Sequence, residues 1–203
     1  MIARLALVLS AVALVAAHAV GAPLERPPRQ VVQSLCDSLV QAMKGGASLG
    51  FEGRRKLLDA ELRRDVNFPL MTRLVVGPSW RDLSAQEQRD LVAAFSDYSI
   101  AVYAGRFKAY AGERFVVEPD TSPLAGGIFV RTKLIPASGD AVVLDYLLRQ
   151  ANGRWRIIDV YLNGTISELA AQRSEYSAEL RSGGAPELIK SLRRKTAQLA
   201  ASG

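Results

Sequence analysis

From Ile128 to Leu162 the apolar side chains fall mostly at every second position; on either side they recur three and four residues apart. Alternation is the period of a strand covered on one face, and the three-four spacing is that of one face of a helix. A chain written this way sets helices against a sheet. No strand-helix-strand alternation occurs, so the expected sheet is an antiparallel meander and the fold class α+β.

The punctuation divides the meander. Phe115 to Glu118 reads as a short strand, and Pro119 and Pro123 as a loop. In the next strand, to Ile135, Ile128, Val130, Thr132 and Leu134 point one way, and Arg131 and Lys133 the other. A turn on Ser138-Gly139 follows. Val142, Leu144, Tyr146 and Leu148 then alternate against Asp145 and Arg149. Asn152-Gly153 suits a two-residue hairpin turn. In the last strand, Arg154 to Leu162, Trp155, Ile157 and Tyr161 are expected on one face. Ile158, Val160 and Leu162 are expected on the other, so this strand is covered on both sides. The sheet has about four strands.

Helices flank it. Pro27-Pro28 opens one over 29–44, with Val32, Leu35, Cys36, Leu39 and Met43 on a shared face, and Gly45-Gly46 ends it. Cys36 thus reads as a buried core residue. Further helices are expected over 51–65, 69–75, 85–104 and 167–181. A final helix has Pro186 near its first turn and ends near Leu199. Ser84 with Glu87 three residues on is a capping-box signature for the longest of them.

The first residues set the compartment. Arg4, an apolar run from Leu5 to Ala17 and the small-x-small pattern Ala17-His18-Ala19 form an export signal with a cleavage site. The run is shorter than the roughly 20 residues a membrane span needs. Residues 1–19 are therefore expected to be removed, leaving 20–203 as a single domain outside the cytoplasm, in the periplasm. The net charge of +6 would suggest nucleic acid for a cytoplasmic protein. For an exported one it suits anionic lipid surfaces, acidic protein faces or simple solubility, and no nucleic-acid partner is expected.

Composition narrows the chemistry. The only histidine, His18, lies in the signal, and Cys36 is the only cysteine. Histidine-based triads, histidine-held zinc, thiolate metal sites and an intrachain disulfide are excluded for residues 20–203. No phosphate-cradling or dinucleotide glycine motif and no nucleophile elbow occurs. No cofactor is expected. Carboxylates remain: Asp145 and Asp159, on neighbouring strands, are either an acid pair or a solvated residue and a strand-end hydrogen-bond acceptor.

Several stretches, in order, resemble one family. They are Val75-Val76-Gly77 with Trp80; Ala85-Gln86-Glu87-Gln88-Arg89; Ala109-Tyr110-Ala111-Gly112-Glu113; Gly153 to Val160 around Trp155 and Asp159; Asn163-Gly164-Thr165-Ile166-Ser167; and Gly184 with Leu188-Ile189 and Leu192. Together they are similar to the MlaC family, the periplasmic component of the toluene-tolerance lipid transport system. The wording Gly164-Thr165-Ile166-Ser167-Glu168-Leu169 departs from the common family form and resembles the hopanoid-associated HpnM branch.

The resemblance implies an NTF2-like domain with helices on a curved sheet and a deep apolar pocket between them. It implies a lipid ligand, phospholipid or hopanoid, and a role in outer-membrane asymmetry without enzymatic activity. The implied partners are an outer-membrane lipoprotein complex and an inner-membrane ABC transporter with an MCE-domain subunit. On this reading Val130, Leu134, Leu144, Tyr146 and Leu148 are expected to wall the pocket from the sheet. Leu74, Phe95, Tyr98, Val102, Tyr103, Phe107 and Tyr110 are expected to wall it from the helices. The same residues also suit a filled core. Two other functions therefore stay open: an NTF2-like enzyme using Asp145 or Asp159 as base, and an adaptor with a sealed interior.

Overall fold

A computed structural model describes residues 25–124 and 126–203, so the expected export signal lies outside the described residues. The element order is α1 (Pro28–Asp65), α2 (Phe68–Val76), a 3-10 turn (Gly77–Asp82), α3 (Ala85–Arg106), β1 (Arg114–Leu124), β2 (Gly127–Ile135), β3 (Val142–Ala151), β4 (Arg154–Leu162), β5 (Ile166–Ser167) and α4 (Glu168–Ser202). The strands form one antiparallel sheet in chain order. This is the expected α+β architecture, a curved sheet covered by helices, with a short fifth strand added.

The glycine signals act as breaks inside longer helices. α1 leaves helical geometry at Gly46 (φ 38) and Gly50 (φ 60), and α4 at Gly184 (φ 64). Positive φ costs glycine no steric penalty, so the chain re-enters the helix after each break. Arg54 secures the first break. Its guanidinium is buried, with Nε donating to the Ala104 carbonyl at 2.9 Å and Nη1 to that of Gly46 at 2.8 Å. One side chain thereby ties the α1 break to the last turns of α3, where helix carbonyls lack internal donors. At the other end of α3 the expected capping box is complete: Glu87 N–H donates to Ser84 Oγ at 3.2 Å, and Ser84 N–H donates to Glu87 Oε2 at 2.8 Å.

Two sequence expectations about the sheet are corrected. The loop expected at Pro119 and Pro123 is part of β1, which continues to Leu124. β1 is an edge strand paired only with β2, and Pro119 falls inside an irregularity between Val117 and Thr121, where a missing N–H breaks no ladder bond. In β4, Tyr161 does not share a face with Ile157. Leu148 pairs with Ile157 and Leu147 with Asp159, so Ile158 is an extra residue, a bulge that reverses the parity beyond it. Ile157 and Val160 therefore belong to the helix-side core, while Ile158 and Tyr161 join Phe129 and Leu147 in a separate cluster.

The main core lies between the helices and the sheet. Leu35, Leu39, Leu58 and Leu62 of α1 pack with Leu91, Phe95 and Ile100 of α3 and with Val130, Tyr146 and Leu148. Cys36 is fully buried there, as expected, and burial pushes its thiol well above the usual range. The α1–α2 junction is pinned to β4: Asn67 N–H donates to the Ile157 carbonyl at 2.8 Å, and Asn67 Oδ1 caps α2 by accepting from Leu70 N–H.

Candidate functional site

The packing leaves one end of the layer between helices and sheet unfilled. A cavity of about 410 Å³ opens there, bounded by the start of α2, the second half of α3, the ends of β3 and β4, and the first turns of α4. Each wall has a local cause. On α3, Tyr98, Val102 and Tyr103 are four and one residues apart, and Phe107 follows one turn later on the cap. On α4, Leu169, Gln172 and Tyr176 stand at the i, i+3, i+7 spacing of one helix face. On β4 the bulge brings Ile157, Val160 and Leu162 to the same side, opposite Leu144 and Tyr146 of β3. Phe68 and Met71 close the α2 side.

Aromatic rings give these walls flat surfaces. Tyr103 and Phe107 stack at 5.9 Å with planes 15° apart, and Phe107 leans on Phe115 at 6.1 Å. Burial pushes the Tyr103 and Tyr146 phenols up, so both hydroxyls stay protonated across ordinary pH.

The structure thus brings together Tyr98, Val102, Tyr103, Phe107, Leu144 and Tyr146 of the expected wall. It places the others elsewhere. Val130 and Leu148 are fully buried in the packed core. Phe95, one turn before Tyr98, meets the edge of Phe68 at 6.4 Å behind the cavity. Leu74 is half-buried against the core, one turn past the α2 residues that reach the cavity. Leu134 is half-buried on β2, paired with the lining residue Val142, and does not itself line the cavity. Tyr110 lies beyond the end of α3, 42% exposed, with the Lys44 ammonium 5.2 Å from its ring centre.

The two carboxylates do not form a pair. Asp145 is buried rather than solvated, accepts a hydrogen bond from Thr132 N–H at 2.8 Å, and does not line the cavity. Asp159 does line it, but its oxygens are occupied. Oδ1 accepts from the N–H groups of Val160 (2.8 Å) and Leu169 (3.1 Å), and Oδ2 from the Ser167 hydroxyl at 2.5 Å. Burial pushes the Asp159 carboxyl up, and these donors oppose the shift. The strand-end acceptor role is the one observed: Asp159 fastens the start of α4 to β4.

Charged side chains stand among the lining residues: Arg106 in the last turn of α3, and Glu168 and Glu175 on α4. Sequence periodicity does not point to them or to the α4 wall, and on α2 it points to Leu74 where Phe68 and Met71 line the cavity. The signal available was the i, i+3, i+7 row of α4. Among the described residues no cluster of side chains is fit to hold a metal ion, and no helix is long and apolar enough to cross a membrane.

The comparisons agree with this geometry. The family model described as "MlaC protein" matches residues 33–194. A solved structure from Ralstonia solanacearum, a phospholipid-binding protein in complex with a phospholipid, shares the fold. Its TM-score is 0.74 at 20% identity, over 86% of this chain and 99% of that one. Among curated proteins, none is similar enough to match.

Proposed function

The chain belongs to the MlaC family, and on that premise we propose that it is a non-enzymatic carrier. It holds a lipid in the cavity between α3, α4 and the sheet and shuttles it across the periplasm. The observation that carries this reading is the position of the 410 Å³ cavity: aromatic and aliphatic walls, with Arg106, Glu168 and Glu175 on α3 and α4 and the hydrogen-bonded Asp159 on β4 as its charged residues. The fold shared with a phospholipid-bound protein supports it.

The energetics explain why such a carrier is needed. A lipid with about 30 methylenes faces a transfer cost of about 24 kcal/mol into water, at about 0.8 kcal/mol each. It crosses an aqueous compartment only inside a matching apolar space. The cavity between α3, α4 and the sheet, about 410 Å³ and lined largely by aliphatic and aromatic side chains, is such a space.

The partners at the two membranes, on this proposal, are an outer-membrane lipoprotein complex and the MCE-domain subunit of an inner-membrane ABC transporter. A phospholipid is the primary cargo. The Gly164-Thr165-Ile166-Ser167-Glu168-Leu169 stretch and the flat Tyr103–Phe107 surface favour a hopanoid as the second reading, since fused rings suit flat aromatic faces.

Purified protein incubated with donor and acceptor vesicles is expected to move phospholipid between them in proportion to its concentration. Transfer no faster than without protein contradicts the carrier. The exported protein is expected to begin at Val20, or at Pro23 if the later site is cut. Recovery of intact chain in the cytoplasm contradicts the periplasmic assignment.

A further inference from the structure

The charges beside the cavity are not all equivalent. Glu175 is neutralised by Lys195, whose Nζ lies 2.6 Å from its Oε1. Asp159 is enclosed by its own donors. That leaves Arg106 and Glu168 as lining charges that, among the described residues, make no ion pair with each other or with any other side chain. Arg106 closes α3 and is exposed, while Glu168 opens α4 and is half-buried. Both act on the Tyr103 phenol, and in opposite senses: the guanidinium favours its ionisation and the carboxylate opposes it. One positive and one negative group thus flank the same aromatic wall, each open to a ligand.

We infer that Arg106 and Glu168 form a subsite for a zwitterionic phospholipid head group, Arg106 receiving the phosphate and Glu168 the ammonium. The inference rests on the proposed lipid-carrying role and adds a choice among head groups. A guanidinium offers a phosphate two parallel charge-assisted hydrogen bonds, and a carboxylate accepts them from an ammonium. A phosphoethanolamine head therefore meets two attractions. A purely anionic head, such as phosphoglycerol, meets one attraction at Arg106 and one repulsion at Glu168. An uncharged polyol head gains neither.

The test is competition within one membrane. Delipidated protein is incubated with vesicles holding equal amounts of phosphatidylethanolamine and phosphatidylglycerol of identical acyl chains. It is then re-isolated, and its bound lipid is weighed by mass spectrometry. Phosphatidylethanolamine is expected to exceed phosphatidylglycerol about threefold, the size typical of exposed charge pairs. Glu168→Gln is expected to bring the ratio near one, and Glu168→Lys to invert it. Arg106→Gln is expected to lower the loading of both lipids. Equal loading of both lipids by the parent protein, or a preference unchanged by Glu168→Lys, overturns the head-group assignment and leaves the carrier standing. Failure of the parent protein to load either lipid overturns the carrier reading and this subsite with it.

Discussion

Val102→Glu protein is expected to fold, to show the helix content of the parent, and to leave lipid vesicles empty. Val102 lines the cavity from the last turns of α3 and is only half-buried, so glutamate is compatible with the helix and has a route to water when no ligand is present. An acyl chain seated against it removes that route. Burying a polar group without a partner costs about 2–7 kcal/mol, and each 1.4 kcal/mol is about tenfold in affinity. Retained lipid should therefore fall at least tenfold. Leu144→Asp, across the cavity on β3, should do the same with a larger loss of stability, because it places a carboxylate inside a sheet. Folded Val102→Glu protein with normal lipid content would remove this part of α3 from the binding surface.

Phe95→Ala makes the opposite separation. Phe95 is 1% exposed and packs edge-on against Phe68, one helical turn from the cavity-lining Tyr98. Emptying that position should cost about 3–5 kcal/mol of stability. In a domain of this size that lowers the unfolding midpoint by about 10 °C. The fraction that remains folded should still take up lipid, because the walls of the cavity are unchanged. A Phe95→Ala protein of parental stability that no longer binds lipid would reverse the assignment, placing Phe95 on the binding surface and the void elsewhere.

The contrast between Val102 and Phe95 shows what was legible in the sequence and what was not. Both recur on one apolar stripe of α3, and periodicity assigns them to the same face. A stripe wide enough to cover a core serves, at its other end, as the wall of a void. Only the course of neighbouring elements decides where packing stops. Periodicity gave the layer order, the hairpins at Ser138-Gly139 and Asn152-Gly153, and the capping box at Ser84. It misassigned Tyr161, because the extra residue at Ile158 changes parity without changing the apolar pattern. It read a loop at Pro119 because it could not know that the strand lies at an edge. It missed Leu169 and Tyr176 because α4 reads as an ordinary amphipathic helix until its partner surface is known. Asp159 was legible as a strand-end acceptor, and the three donors around it bear that role out.

The carrier reading stands or falls on the occupant of the cavity. Protein isolated from the periplasm of its native host, extracted with organic solvent and examined by mass spectrometry, should release lipid at about one molecule per chain. The same protein carrying Val102→Glu should release almost none. Native protein that yields no lipid, and takes up none when offered vesicles after isolation, would contradict the carrier and leave an adaptor with an unused void.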